Sequence, residues 1–117
     1  MLRELLRAKI HGATITDANA EYTGSITIDE TLLSAAGIAP YEKVVVGDLS
    51  NGARFTTYAI VGKKKTGVIC VNGAAAKLVN VGDKIIIMCF SLLDEKEIKK
   101  HKPKIIYVNE KNKIKSD

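Results

Sequence analysis

The stretch Glu21-Tyr22-Thr23-Gly24-Ser25-Ile26-Thr27-Ile28-Asp29 places a Gly-Ser peptide bond between two segments of β-strand composition. From Ser25 onward, polar and apolar residues alternate, which is the pattern of a half-buried strand. Asp29 offers an N-cap for the apolar run that follows, and Gly37 stands where a helix should end. We therefore predict a strand that leads directly into a helix over residues 30–36.

The rest of the chain consists of similar short elements. Besides residues 25–28, strands are predicted over residues 5–15, 42–48, 53–61, 68–71, 85–90 and 105–108. Asn51-Gly52 predicts a two-residue hairpin turn, and Lys63-Lys64-Lys65 an exposed hairpin loop. Asn72 to Lys77 is typical of a turn that opens one short helical turn. Many short strands with glycine-based turns favour a mainly β protein, a small β-barrel with one or two short helices.

The composition is that of one soluble globular domain, with 117 residues of which 46% are hydrophobic. No apolar run reaches membrane-spanning length, and Met1 to Arg7 lacks the apolar segment of a signal peptide. We therefore expect a cytoplasmic protein without a membrane partner. Cys70 and Cys89 lie in apolar strands, so they are interpreted as small buried hydrophobic residues rather than as metal ligands or a disulfide.

The net charge of +5 invites a nucleic-acid hypothesis, but its distribution argues against one. Residues 94–117 hold eight Lys against five acidic residues, whereas the first 93 residues hold ten Lys or Arg against eight. Most of the excess therefore lies in a lysine-rich segment, which we interpret as a solvated extension. With only six aromatic residues in the chain, no stacking set for RNA is apparent, and no nucleic-acid partner is expected.

The Gly24–Ser25 peptide bond suggests chemistry on the backbone itself. Glycine permits a strained backbone, and the Ser25 hydroxyl lies beside a carbonyl that it could attack. Attack and elimination would cut the chain and leave a dehydroalanine that hydrolyses to a pyruvoyl group. Such a ketone can form an imine with an amine and accept electrons as carbon dioxide leaves, which favours amino-acid decarboxylation. From these two residues alone, an ordinary turn is the more common explanation.

Residues elsewhere could complete such a site. Arg54 and Tyr58 fall on one face of a predicted strand, where Arg54 could bind a carboxylate and Tyr58 could donate a proton. Thr57 falls on the opposite face. Lys9 and His11 share one face of the first strand and could add positive charge.

The segment Asn72-Gly73-Ala74-Ala75 offers small residues and backbone N–H groups suited to anionic oxygens. Taken singly, each candidate also has a common structural explanation. Arg54 and Lys9 would be surface charges, Tyr58 an aromatic at the rim, and His11 a packed imidazole. Asn72-Gly73 would be a simple turn.

Seven blocks of sequence change this balance because they occur together in one order. They are Leu6-Arg7-Ala8-Lys9-Ile10-His11, Thr16-Asp17-Ala18-Asn19, Tyr22-Thr23-Gly24-Ser25-Ile26-Thr27-Ile28-Asp29, Ala35-Ala36-Gly37-Ile38, Asn51-Gly52-Ala53-Arg54-Phe55-Thr56-Thr57-Tyr58, Val71-Asn72-Gly73-Ala74-Ala75-Ala76 and Val81-Gly82-Asp83. Over roughly residues 1–91 the chain resembles the pyruvoyl-dependent aspartate 1-decarboxylase family.

The resemblance implies a double-psi β-barrel over residues 1–91, assembled as a homotetramer with active sites between subunits. Self-cleavage at Gly24–Ser25 would give a β chain of residues 1–24 and an α chain of residues 25–117. Residues 92–117 lie outside the resemblance, and their own sequence predicts a lysine-rich extension with one strand. The implied cofactor is a pyruvoyl group made from Ser25, with no metal. The implied reaction converts L-aspartate to β-alanine and CO2, for pantothenate and so coenzyme A biosynthesis.

The same resemblance implies a role for each candidate residue. Ser25 would become the pyruvoyl group that forms an imine with the substrate, and Tyr58 would donate the proton. Substrate would be bound by Lys9, Arg54, Thr57, Gly73, Ala74 and Ala75. Processing and the pocket would involve Gly24, Ser25, Thr57, Asn72 and His11.

Two features depart from the family pattern. The loop Gly62-Lys63-Lys64-Lys65-Thr66-Gly67 is more basic than expected, and the segment from Leu92 onward matches nothing in the pattern. Two alternatives stay open from the sequence. One is a non-enzymatic barrel like those of small bacterial DNA-binding regulators, and the other is an inactive relative that never matures. Whether a maturation partner assists cleavage also stays open, and the resemblance does not imply one.

Overall fold

In residues 1–115, the part of the chain that this computed structural model describes, eight strands alternate with two α-helices and one 3₁₀ helix. The elements are β1 (Arg3–Thr14), β2 (Asp17–Asn19), β3 (Ser25–Asp29), α1 (Glu30–Ala36), β4 (Lys43–Asp48), β5 (Arg54–Gly62), β6 (Ile69–Asn72), the 3₁₀ helix (Gly73–Leu78), β7 (Lys84–Leu93), α2 (Glu95–Lys100) and β8 (Lys104–Tyr107). The prediction of a mainly β protein with short helices is confirmed.

The strands form one sheet in the order β2-β6-β3-β5-β4-β7-β1-β8. Only Ile15 and Thr16 separate β1 from β2, so one extended stretch pairs with β7 through its first part and with β6 through its second. Backbone hydrogen bonds continue across this junction, from Ile15 N to Asp83 O (3.0 Å) and from Thr16 N to Ile69 O (2.8 Å). The five strands β6-β3-β5-β4-β7 therefore have this one stretch as their neighbour at both edges, through β2 and through β1, and the sheet closes into a barrel. Strand β8 pairs with the other edge of β1.

Aliphatic side chains from alternate strand positions fill the barrel. Ile26 and Ile28 of β3 are completely buried, as are Val44 and Val46 of β4. The alternation therefore turns Ser25 and Thr27, which flank Ile26, outward. Other buried residues of this core are Ile10, Leu32, Leu33, Ala59, Ile69, Val71, Ile85 and Ile87.

Asp29 ends β3 and caps α1, as the sequence predicts. Its carboxylate accepts hydrogen bonds from the backbone N–H groups of Thr31 (2.8 Å), Lys65 (3.0 Å) and Gly67 (2.8 Å). Burial alone would raise the pKa of Asp29, but these N–H groups outweigh it and hold the pKa below its ordinary value of 3.8. Gly37 ends the helix with φ of 72°, which is the left-handed cap expected of this glycine.

The turn at Asn51-Gly52 is wider than predicted. Residues 49–53 connect β4 to β5, and Asp48 N donates to the carbonyl of Ala53 at 2.8 Å. The Asp48 carboxylate accepts hydrogen bonds from Ser50 N (2.8 Å) and Asn51 N (3.2 Å). The two-residue turn prediction is wrong because this side chain holds the loop open by competing for its N–H groups.

The lysine loop also differs from its prediction. Lys63 to Thr66 are exposed, as expected. However, β5 lies parallel to β3 on one side, and β6 lies antiparallel to β3 on the other. The predicted hairpin is therefore wrong, because the two strands that this loop joins are not neighbours in the sheet.

The segment after β7 folds back onto the barrel. Asp94 is the N-cap of helix α2 and forms a capping box with Glu97. Strand β8 then pairs with β1, which confirms the strand predicted over residues 105–108. Ile106 and Val108 are buried against the core. The interpretation of this segment as a solvated extension is therefore wrong, because it supplies apolar side chains to the core.

Asn112 fixes the end of this segment to the barrel. Its side chain is 1% exposed, accepts a hydrogen bond from Thr14 N at 2.7 Å and donates to Thr14 O (2.8 Å) and Gly67 O (2.7 Å).

The proposed division of the chain at residue 91 stays a prediction. None of the helices within residues 1–115 is long and apolar enough to cross a membrane.

We predict that Asp29→Asn lowers the free energy of unfolding at pH 7 by about 2 kcal/mol, the order of a hydrogen bond to a charged group. Because folding lowers the pKa of Asp29, its contribution is present above the ordinary pKa of 3.8 and is lost as the pH falls through the folded-state pKa. Urea denaturation of both proteins from pH 7 to pH 3 should show their stabilities converging at the acid end. Glu30→Gln, a change at the exposed neighbouring residue, is the control, and its free energy of unfolding should match that of the wild type at every pH. An equal loss of stability in both variants would contradict the role assigned to the Asp29 carboxylate.

Candidate active site

Ser25 lies at the start of β3, directly opposite Asn72 at the end of β6. Both side chains are buried, although they project from the outer face of the barrel wall. The preceding Gly24 is exposed, so the Gly24–Ser25 peptide bond lies where the chain passes from solvent into the sheet. The structure thus brings together two of the residues that the sequence selected.

The side-chain amide of Asn72 organises this corner. Its Nδ2 donates to Ser25 Oγ at 2.9 Å and to Thr27 Oγ1 at 3.2 Å. Its Oδ1 accepts a hydrogen bond from Cys70 Sγ at 3.3 Å. All four residues occupy alternate positions on the outward face of β3 and β6, where Thr27 is paired with Cys70.

Gly73 lies against Gly24 so closely that only glycine fits. A Cβ at position 73 would lie 2.6 Å from Gly24 Cα and 2.9 Å from Gly24 N. Gly73 also has φ of +78°, a backbone conformation that side chains disfavour. The start of the 3₁₀ helix therefore sets the position of the backbone just before Ser25.

The amide of Asn72 does not cap the 3₁₀ helix that follows it, since it is engaged with the two hydroxyls instead. Ala74 is exposed and Ala75 is half-buried in the first turn of that helix. These two residues therefore lie immediately beyond the contact between Gly73 and Gly24.

Tyr58 lies on the strand next to Ser25. In the parallel register of β3 and β5, Ile26 is paired with Ala59, so position 58 is level with position 25. Tyr58 is 39% exposed on the outer face. One strand spacing of about 5 Å therefore separates the backbones of these two residues.

Arg54 shares the face of Tyr58 but lies further along the strand. Residues 54, 56 and 58 are exposed, whereas Phe55 and Thr57 are half-buried on the other face, as the alternation predicts. At about 3.3 Å per residue, Arg54 lies roughly 13 Å from Tyr58 along β5.

Lys9 and His11 do not lie beside Ser25 within one chain. They belong to β1, which β7, β4 and β5 separate from β3 on one side of the barrel. On the other side only β2, the continuation of β1 beyond Thr16, pairs with β6, the neighbour of β3. His11 instead contacts Tyr107 of β8, with ring centroids 5.5 Å apart at a tilt of 58°.

Thr27 and Cys70 are contacts of the site that the sequence analysis missed. The sequence predicts a buried Cys70, but the residue is only half-buried and its thiol donates a hydrogen bond to Asn72. Burial and, secondarily, the charge of Asp17 raise the pKa of the Cys70 thiol. Their spacing in the sequence could have identified them. Thr27 lies two residues from Ser25, and Cys70 two residues from Asn72, on the same strand face in each case.

Cys89 is buried as predicted, and burial followed by the charge of Glu42 raises the pKa of its thiol to about 11.

A cavity of about 210 Å³ opens elsewhere on the outer face, lined by Glu4, Lys43, Val45, Thr56 and Phe90. None of the predicted site residues lines it. Within residues 1–115, no group of three or more His, Cys, Asp or Glu side chains is arranged to hold a metal ion.

The amino-acid sequence matches one protein family over residues 1–115, the whole described part of the chain. A sequence model of the aspartate decarboxylase family matches residues 1–115. The aspartate 1-decarboxylase of Caldicellulosiruptor saccharolyticus is 58% identical over 114 residues, covering 97% of this chain and 89% of that protein. The aspartate 1-decarboxylase of Thermoanaerobacter pseudethanolicus is 54% identical over 113 residues, covering 97% of each chain.

Among solved structures, the fold is similar to that of a rationally designed protein, mkDPBB_sym_86. The TM-score is 0.50 at 14% identity, with 66% of this chain and 90% of that chain covered. This likeness concerns the fold alone, and it confirms the expectation of a double-psi β-barrel.

We predict that Gly73→Ala destabilises the protein more than Gly52→Ala does. Both glycines have positive φ (78° and 77°), so both variants lose the roughly 1–2 kcal/mol that this conformation costs a side chain. Only the Cβ at position 73 meets the Gly24 backbone, whereas nothing lies within 4 Å at position 52. Urea denaturation at equal protein concentration measures the difference, and equal losses would show that the close approach to Gly24 is not a constraint.

Proposed function

The chain belongs to the aspartate decarboxylase family, and on that premise we propose that it is a self-processing aspartate 1-decarboxylase. It would remove the α-carboxyl group of L-aspartate and release β-alanine and CO2. The observation that carries this proposal is the Ser25 hydroxyl, which Asn72 holds beside the exposed Gly24. The chain that carries it aligns almost end to end with proteins named aspartate 1-decarboxylase.

Maturation would begin with attack of Ser25 Oγ on the carbonyl carbon of Gly24. The Gly24–Ser25 C–N bond breaks, the hydroxyl proton passes to the departing Ser25 nitrogen to give an amine, and an ester between Gly24 and Ser25 replaces the amide. Loss of the Ser25 α-proton then breaks the Cβ–O bond, which frees the Gly24 carboxylate and leaves dehydroalanine at position 25. Water hydrolyses this residue, releasing ammonia and forming the pyruvoyl group. The products would be chains of 24 and 93 residues (117 minus 24).

The surroundings of Ser25 suit this chemistry. Asn72 donates to Ser25 Oγ, so the hydroxyl's own proton is free to leave as the oxygen attacks. The backbone at Gly73 holds Gly24 from one side and limits its movement. Glycine at position 24 presents no side chain that would obstruct the attack.

The residues around position 25 also fit a pyruvoyl group. The site is buried, and the Asn72 amide offers N–H donors that a ketone or carboxamide oxygen could accept. When formed, a pyruvoyl group supplies an electrophilic carbonyl and an electron sink for decarboxylation. Tyr58, level with position 25 on the next strand, would donate the proton to the substrate carbon.

Arg54 and Lys9 would bind the two substrate carboxylates, with His11 in the same pocket. Thr57 faces the other side of β5 from Arg54, so it would join the pocket only through a twist or bulge of the strand or from a neighbouring subunit. Gly73, Ala74 and Ala75 would contact the substrate through their backbone. Since Lys9 and Arg54 lie apart from Ser25 within one chain, we propose that the complete site forms between subunits of a homotetramer. The enzyme would act in the cytoplasm, where β-alanine serves pantothenate biosynthesis.

We predict that purified protein contains two chains and forms β-alanine from L-aspartate, whereas Ser25→Ala stays as one chain and is inactive. Intact-mass spectrometry and denaturing electrophoresis measure cleavage, and amino-acid analysis measures the product. Complete failure of the wild type to cleave would refute the proposal. Cleavage without β-alanine formation would identify an inactive relative.

We predict that Tyr58→Phe still cleaves but loses turnover by roughly 10²- to 10⁴-fold, the usual contribution of a proton donor. The substitution removes the phenol oxygen and keeps the ring. Steady-state kinetics should show the loss in kcat more than in KM. Tyr41→Phe, which alters an exposed tyrosine outside the site, should retain wild-type turnover. Unchanged kcat in Tyr58→Phe would mean that another group donates the proton.

A further inference from the structure

The Asn72 amide can occupy its position in two orientations that differ by exchange of its oxygen and nitrogen. In the observed one, Nδ2 faces Ser25 and Thr27, and Oδ1 faces Cys70. In the reversed one, Oδ1 would face the two hydroxyls, and each hydroxyl would have to donate to it. The hydrogen-bonding partners of the amide therefore determine whether Nδ2 or Oδ1 faces the Ser25 hydroxyl.

These two orientations have different consequences for Ser25. When Nδ2 donates to Ser25 Oγ, the hydroxyl oxygen accepts and its proton is free to leave during attack on Gly24. When Oδ1 faces Ser25, the hydroxyl proton is bound to an amide oxygen, which is too weak a base to remove it. Only the observed orientation thus supports nucleophilic attack.

We propose that Thr27 and Cys70 are positioning residues that hold the Asn72 amide in the orientation required for self-cleavage. Thr27 Oγ1 accepts the second N–H of Nδ2, and the Cys70 thiol donates to Oδ1. With Ser25, they satisfy both donors and the oxygen of the amide. This inference rests on the self-processing function proposed above.

The environment of Cys70 agrees with a donor role. Its thiol is half-buried, and burial raises its pKa, so the sulfur keeps its proton at neutral pH. A protonated thiol is a weak donor, whereas a thiolate could not donate to Oδ1 at all. Cys70 and Thr27 are themselves paired across β3 and β6, so they bracket Asn72 from adjacent strands.

The test follows the conversion of the intact chain to its two fragments after cell-free synthesis of labelled protein. Cys70→Ala should slow cleavage by roughly five- to tenfold, the order expected for one neutral hydrogen bond. Thr27→Val, which keeps the side-chain shape and removes the acceptor, should slow it to a similar extent. Cys70→Ser restores a donor and should cleave at close to the wild-type rate.

Cys89→Ala is the matched control because the Cys89 thiol faces Lys43 O and not Asn72. It should cleave like the wild type, and thermal melting of each uncleaved chain in a Ser25→Ala background should show that all variants fold. Wild-type cleavage in Cys70→Ala, or equal slowing in Cys70→Ser and Cys70→Ala, would overturn the positioning role alone. A wild type that never cleaves would overturn the proposed function and this inference together.

Discussion

The antiparallel pairing of β3 with β6 is the constraint on which the site depends. It sets Ser25 opposite Asn72 and pairs Thr27 with Cys70, so four polar side chains share one outward face. The inward face of the same two strands is aliphatic and completely buried at Ile26, Ile28, Ile69 and Val71. A slip of one residue would bury the polar set in the core, so the hydrophobic pattern fixes the register and the register places the nucleophile.

Buried polar side chains hold the loops around this barrel. Asp29 joins the start of α1 to the lysine loop through three backbone N–H groups. Asn112 joins that same loop, through Gly67 O, to Thr14 at the end of β1. Both are almost fully buried, and such groups are costly unless every partner is in place. Asn112 therefore ties the C-terminal segment to the barrel.

The predicted cationic residues lie apart from Ser25 in a single chain. Lys9 belongs to β1, which lies between β7 and β8, and Arg54 begins β5, four residues before Tyr58. A substrate with two carboxylates needs positive charge close to the reacting centre. This geometry is the physical reason for proposing that a second copy of the chain completes the site.

Local sequence determined seven of the eight strands, α1 with its Asp29 and Gly37 caps, and the common strand face of Arg54 and Tyr58, because these depend on periodicity and on single-residue backbone preferences. The short strand β2 was not predicted, because only its pairing with β6 defines it. Tertiary structure decided what depends on distant residues. Asp48 widened the turn at Asn51-Gly52, and the sheet order made the lysine loop a crossover instead of a hairpin. The contact of Thr27 with Asn72 also required the pairing of strands more than 40 residues apart, which no local pattern encodes.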